Sequence, residues 1–262
     1  MRYRFLLFVW AVCQLPAIAQ TRISAHRGSV PGLPENTLAT FRAVLALPVS
    51  YLEIDVRTTK DGQLVILHDG NLDRTTSGSG PIRDLTLAEV KQLSAGKGFG
   101  ETVAKERIPT LKEVCQLLRD WNQNSPRKVH LYVDCKEVLP KPLVEELAEF
   151  GLLRDAVFYG PDEFLLALKA VFPQGKRMPA LKNADELPAK IEKLNPYAFD
   201  VRWTALTSEL VQQIHARGIQ VFSDALGFFE NADQYRKAAQ LGVDVIQTDF
   251  VLRVNQALKT EK

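Results

Sequence analysis

The chain has 262 residues, 46% hydrophobic and 8% aromatic, with 33 lysines and arginines against 31 aspartates and glutamates. That length and apolar share suit one large α/β domain with a sizeable core. A formal net charge of +2 excludes a global pull toward nucleic acid or a membrane surface, so any attraction for an anion must be local.

The first segment reads as an export signal. Arg2 and Arg4 precede an apolar run over 5–15, and Ala17-Ile18-Ala19 supplies the small residues of an A-x-A cleavage site before Gln20. The run is short for a bilayer span. Residues 1–19 are therefore expected to be a signal peptide, leaving 20–262 exported, periplasmic or secreted, with no stable membrane span. Val12 is too bulky for the processing of a lipid-modified Cys13. Without the signal, 31 basic side chains face 31 acidic ones.

Residues 22–26 read as the first strand, closed by His26-Arg27-Gly28. Pro34-Glu35-Asn36-Thr37 follows, with Asn36 placed to cap a helix carrying Leu38, Phe41 and Leu45. The second strand, over 51–55, holds Glu53 and Asp55 two residues apart, so both carboxylates leave the same face. Like charges side by side repel, and such a pair points to a cation between them. Asp61-Gly62 reads as a two-residue hairpin turn between Thr58-Thr59 and the run 64–67. With that turn, paired residue numbers sum to 123, which sets His68 opposite Asp55.

Residues 70–109 break the rhythm. Thr75-Thr76-Ser77-Gly78-Ser79-Gly80-Pro81, a predicted helix over 86–93, and Gly96-Lys97-Gly98-Phe99-Gly100 form an insertion above the strand ends, where binding loops or lids are found. Leu85, Leu87, Val90 and Leu93 are expected to pack inward. Helix resumes after Pro109-Thr110, with Leu111, Val114, Leu118 and Trp121 on one face.

Strands over 129–135, 156–159, 177–181, 197–201, 219–223 and 243–248 then alternate with helices over 142–150, 162–171, 185–194, 208–217 and 231–241. Together with the first two strands this makes eight parallel candidates, the pattern of a TIM (β/α)8 barrel with its site at the carboxyl ends of the strands. In the strand over 129–135, alternation puts Val129, Leu131, Val133 and Cys135 under the helices. His130 and Tyr132 then fill the lumen, and Asp134 and Lys136 reach the mouth. Cys115 and Cys135 read either as buried free thiols or as a disulfide. His215 reads as a helix-surface residue.

The ordered run His26-Arg27-Gly28, Pro34-Glu35-Asn36-Thr37, Glu53-Ile54-Asp55-Val56, Asp61-Gly62, His68-Asp69 and Leu72-Asp73-Arg74-Thr75-Thr76 resembles the glycerophosphodiester phosphodiesterase family. Ile108-Pro109-Thr110-Leu111, Gly242-Val243-Asp244 and Thr248-Asp249 extend the likeness over nearly all of 20–262. The resemblance implies a TIM barrel that uses one divalent cation, Mg2+ or Ca2+, to cleave glycerophosphodiesters into glycerol 3-phosphate and an alcohol. It implies His26 and His68 as the acid/base pair, Glu53, Asp55 and Asp134 as metal ligands, and Arg27 and Lys136 on the phosphate. In this family the attacking group is thought to be the substrate's own glycerol hydroxyl, giving a cyclic phosphate that water opens.

The residue types suit that reaction. A hard cation on carboxylate oxygens offsets phosphate charge. Arginine grips two phosphate oxygens, and two histidines can take and return a proton. Asp69 either orients His68 or ends its strand.

Two departures stand out. Asp134 occupies a position that is usually glutamate in the family, and Phe222-Ser223-Asp224 stands where many members carry tryptophan, so Asp224 and Trp203 are candidates for the alcohol side of the pocket. Other readings are a lysophospholipase D-like or glycerophosphate-polymer hydrolase, or a barrel that binds phosphodiesters without turnover. A carbohydrate hydrolase would need carboxylates facing each other across a sugar bond.

Overall fold

In the computed structural model, which describes residues 20–101 and 103–259, helices and strands alternate as the periodicity predicts. The expected signal peptide, 1–19, lies outside the described residues. In the first half come β1 (Arg22–Ala25), α1 (Leu38–Leu45), β2 (Tyr51–Thr58), β3 (Leu64–Ile66), α2 (Leu87–Val90) and α3 (Leu111–Asn124). There follow β4 (His130–Glu137), α4 (Pro140–Glu149), β5 (Val157–Tyr159), α5 (Asp162–Val171), β6 (Lys176–Met178), β7 (Ala180–Leu181) and α6 (Leu187–Leu194). The last stretch holds β8 (Ala198–Val201), α7 (Ser208–His215), β9 (Gln220–Asp224), α8 (Ala232–Leu241), β10 (Val245–Thr248) and α9 (Val251–Lys259). None of the described helices is long and apolar enough to cross a membrane.

The parallel strands pair in the order β6-β5-β4-β2-β1-β10-β9-β8-β7, and β3 pairs antiparallel with β2 outside that path. β6 and β7 are two halves of one strand, split at Pro179, which has no N–H to give to a ladder. Backbone bonds from Tyr197 to Arg177, Asp200 to Pro179 and Arg202 to Leu181, at 2.9, 3.1 and 3.0 Å, tie both halves to β8 and close the ring. The result is the expected TIM-type barrel.

Strand alternation sorts the core into two layers. Leu52, Ile54, Leu131, Val133 and Cys135 join the large cluster beneath the helices. Tyr51, Tyr132, Val157, Met178, Ala198, Phe222 and Val245 fill the lumen. Tyr51 and Tyr132 meet the Phe222 ring edge-on, with centroids 5.3 and 6.1 Å away, so the floor under the mouth is packed aromatic side chain. His130 is only half-buried, its ring 5.8 Å from that of Tyr51.

The structure corrects the hairpin register. Val56, Arg57 and Thr58 face Ile66, Val65 and Leu64, so paired numbers sum to 122, and Leu67 rather than His68 binds the Asp55 carbonyl. The Gly62 N–H returns to the Thr59 carbonyl and the Thr59 N–H to the Gln63 carbonyl. With Gly62 at φ +79°, this is a three-residue loop of the turn-plus-glycine-bulge kind. One extra loop residue shifts the register by one.

Other boundaries moved for local reasons. Thr37, not Asn36, caps α1, because Asn36 sits at φ +55° and spends its side chain elsewhere. The insertion's predicted helix shrinks to α2, capped by a reciprocal Thr86–Glu89 pair. Val65, Leu67, Leu72, Ile82, Val90, Ala95 and Ile108 form the insertion's own small core, against which Leu85, Leu87 and Leu93 pack. Cys115 and Cys135 are separate buried free thiols with no disulfide between them.

Candidate active site

Register builds the centre of the mouth. β2 and β4 pair with Asp55 directly beside Asp134 and Glu53 beside Tyr132, so the parity that buries Ile54 and Val133 outward turns three carboxylates inward. Glu53, Asp55 and Asp134 each offer an oxygen, all within 4.8 Å of one another. Glu53 and Asp55 are 2% and 1% exposed. Burial first, then repulsion from Asp55 and Asp134, pushes the Glu53 carboxyl well above its ordinary range. Burial also raises Asp134, against the pull of Lys136. Such a cluster is incomplete without positive charge.

Two side chains partly supply it. The Lys136 ammonium lies 2.5 Å from Asp134 Oδ2 and 3.3 Å from Asp55 Oδ1. Arg27 stands at φ +51°, its N–H donating to Glu53 Oε2 at 2.6 Å, its Nε 3.6 Å from Asp55 Oδ2, and its Nη1 donating to Glu35 at 3.0 Å. Asn36 Nδ2 donates to Asp55 Oδ2 at 2.7 Å, while its amide Oδ1 is buried without a hydrogen-bond partner. Hard oxygen donors from three carboxylates, next to an orphaned amide oxygen, fit a divalent cation of the magnesium or calcium kind.

The histidines stand at the ends of β1 and of the run after β3, each backed by a carboxylate. His26 Nδ1 is 2.8 Å from Asp249 Oδ1, and His68 Nδ1 is 2.6 Å from Asp69 Oδ1. Both rings keep Nε2 for other work. Burial works against ionising Asp249, but the hydrogen bond and charge of His26 outweigh it and hold its pKa down. Asp69 is held far below the carboxylate range, chiefly by hydrogen bonds from Arg74 and also by His68.

Arg74 is the hub of the second dyad. Its Nε and Nη2 donate to the two Asp69 oxygens at 2.6 and 3.0 Å, and its Nη1 and Nη2 to the two Glu35 oxygens at 2.9 Å each. Arg27 and His68 are thereby joined through Glu35, Arg74 and Asp69. The Arg57 guanidinium, on the same strand face as Glu53 and Asp55, donates twice to the His68 carbonyl, at 2.9 and 2.6 Å.

All seven residues singled out from sequence thus meet at one mouth: His26, Arg27, Glu53, Asp55, His68, Asp134 and Lys136. Sequence reasoning missed what Arg57, Arg74 and Asp249 do. Arg57 continues the alternation 53, 55, 57, which was signal enough to place it. Arg74 and Asp249 lay inside quoted motifs but showed no partner.

The family model described as the glycerophosphoryl diester phosphodiesterase family matches residues 26–253. A glycerophosphodiester phosphodiesterase of Caldanaerobacter subterraneus is 32% identical over 237 residues, covering 88% of this chain and 94% of the relative. Among solved structures, a phosphodiesterase of Oleispira antarctica in complex with the product sn-glycerol-3-phosphate is similar at TM-score 0.81 and 27% identity, over 92% of this chain and 97% of that one. A glycerophosphodiester phosphodiesterase from Agrobacterium tumefaciens is similar at TM-score 0.80 and 25% identity, over 91% and 99%.

Proposed function

The chain belongs to the glycerophosphoryl diester phosphodiesterase family, and from that premise we propose that it hydrolyses glycerophosphodiesters to glycerol 3-phosphate and an alcohol. The observation that carries the reading is the convergence of two carboxylate-backed histidines on a mouth holding Glu53, Asp55 and Asp134. The relative solved with sn-glycerol-3-phosphate supports the product.

In this reading Glu53, Asp55 and Asp134 hold a divalent cation, which offsets the phosphate charge that would repel an attacking oxygen. Arg27 and Lys136 bind phosphate oxygens, Arg27 in a forked manner and Lys136 as a point charge. The pairing of each Nδ1 with an aspartate orients the ring and leaves Nε2 to move protons. One histidine takes the proton of the attacking hydroxyl at Nε2, and the other protonates the leaving alcohol oxygen. When water opens the resulting ester, the roles reverse. Each transfer contributes ~10²–10⁴-fold.

The reading includes export, supported by the arginine-flanked apolar run and Ala17-Ile18-Ala19.

The test is release of glycerol 3-phosphate from several glycerophosphodiesters by purified protein, first with a chelator and then with magnesium, calcium or manganese restored. Activity should vanish and return. No release with any cation would sink the function, and release indifferent to chelation would sink the metal assignment.

A further inference from the structure

Beside the carboxylate cluster the ends of β5, β7, β8 and β9 enclose a second cavity, about 470 Å³ in volume. It runs into the cavity that holds Asp134 and Lys136, because the two share Tyr159, Ala180 and Lys182. Its wall presents Tyr159, Trp203 and Phe229 as aromatic surface, and Asp200 and Asp224 as two carboxylates.

These carboxylates have no evident structural employment. Gln247 reaches Asp224, but Asp224 Oδ1 is buried without a hydrogen-bond partner. Asp200 and Asp224 repel each other, and both feel Asp134. Among the described residues, no cation of the mouth forms an ion pair with them: Lys136 contacts Asp134 and Asp55, Arg27 contacts Glu35, and His26 and Lys136 act on Asp224 only by charge at longer range. Lys182 and Arg202 line the rim and are exposed to solvent. Around these acids the wall is fixed, because Trp203 Nε1 is tied to Gln234 at 2.9 Å and its ring stacks on Phe229 at 5.8 Å.

We propose that this cavity receives the leaving alcohol, and that Asp200 and Asp224 select an alcohol bearing a cationic nitrogen, a primary or quaternary ammonium, over a neutral or acidic one. The inference rests on the phosphodiesterase reading above and deepens it. An ammonium between the two carboxylates offsets their mutual repulsion and satisfies Asp224 Oδ1. The faces of Tyr159 and Trp203 add a cation–π attraction that a neutral alcohol lacks. An acidic headgroup meets like charge and is rejected. The phosphate then lies toward Lys136, where the two cavities join.

The test separates charge from shape. The protein, loaded with the divalent cation that supports turnover, is given glycerophosphocholine and its carbon isostere, the 3,3-dimethylbutyl ester, which differs only in lacking the positive charge. The kcat/KM ratio of the two should favour the cationic substrate about tenfold or more. In Asp224→Asn and in Asp200→Asn the ratio should fall several-fold toward one. Because both substrates meet the same protein sample, the ratio is indifferent to how much of a variant folds. A wild-type ratio near one, or a ratio that both variants keep, overturns the selection. Equal losses on both esters would place the aspartates on the glycerol side and overturn it too. Failure of the wild type to cleave either ester removes the phosphodiesterase reading, and the inference with it.

Discussion

The imidazole of His26 and the carboxylate of Asp249 meet at 2.8 Å although 223 residues separate them in the chain. They come from the ends of adjacent strands, β1 and β10, which pair Ala25 with Thr248 and so join the first and last strands of the chain in the barrel wall. Seating of β10 and proton-transfer geometry are therefore one event: a chain that fails to seat β10 has no oriented His26.

Asp249→Asn keeps the shape and removes the charge. With it, kcat is expected to fall about 10–100-fold, the range for losing an orienting partner of this kind. His26→Ala should cost more, ~10²–10⁴-fold. A pH–rate profile of each variant checks this; an Asp249→Asn profile that overlays the wild type would leave Asp249 without a positioning role.

Glu53→Gln should separate stability from activity. The amide oxygen still accepts from the Arg27 N–H, while the repulsion from Asp55 and Asp134 that raises the Glu53 carboxyl is removed. In the presence of a chelator the variant is expected to melt higher, by about 2–4 °C per kcal/mol gained for a chain of this size. Added magnesium or calcium should raise the wild-type melting temperature and leave the variant nearly unmoved. Turnover should be lost. Thermal melts with and without cation decide it.

Asp69 and Glu35 are both held below the usual carboxylate range, Asp69 mainly by hydrogen bonds from Arg74, and Glu35 by Arg74 and Arg27 against the opposing effect of burial. A depressed folded-state pKa contributes stability that is present above the unfolded values, about 3.9 and 4.3, and is lost as pH falls through the folded ones. Arg74→Met should therefore flatten the loss of stability below about pH 4 and lower turnover at neutral pH as Asp69, which orients His68, loses its tether. Denaturant midpoints from pH 2 to 7 give the comparison; parallel acid limbs would contradict the Arg74 linkage.

Gly28 stands at φ +65°, and a Cβ there would come within 2.5 Å of Phe41 Cδ1 and 2.8 Å of Cε1. Its carbonyl also accepts from Thr40 Oγ1. Gly28→Ala combines left-handed strain with overpacking against α1 and should cost about 2–4 kcal/mol. Phe41→Leu, destabilising alone, should recover part of that loss in the double variant. Urea titrations of the four proteins in the cycle measure the coupling.

Much of the site was legible because strand alternation is a local rule. Glu53 with Asp55, and Tyr132 with Asp134, could be assigned to one face from spacing alone, and the same parity put Tyr132 in the lumen, whereas Tyr51, Met178 and Phe222 joined it there only once the barrel was formed. The hairpin register was not legible at that level. Asp61-Gly62 is compatible with a two-residue turn and with a three-residue loop ending in a left-handed glycine, and only the packing of Val65 and Leu67 against the insertion's core chooses between them. Asn36 shows the same limit: it has the chemistry of a helix cap, yet the buried Asp55 claims its amide and Thr37 caps instead.

From composition and periodicity the chain determines a barrel of alternating strands and helices, the inward face of each strand, and hence a mouth crowded with carboxylates. Which of those groups touch was decided only by closing the ring. Contacts between β1 and β10, or between Glu35, Arg74 and Asp69, join residues whose separation along the chain carries no record of their distance in space. Local backbone sterics select the strand and its faces, whereas register, loop length and long-range packing select the partner.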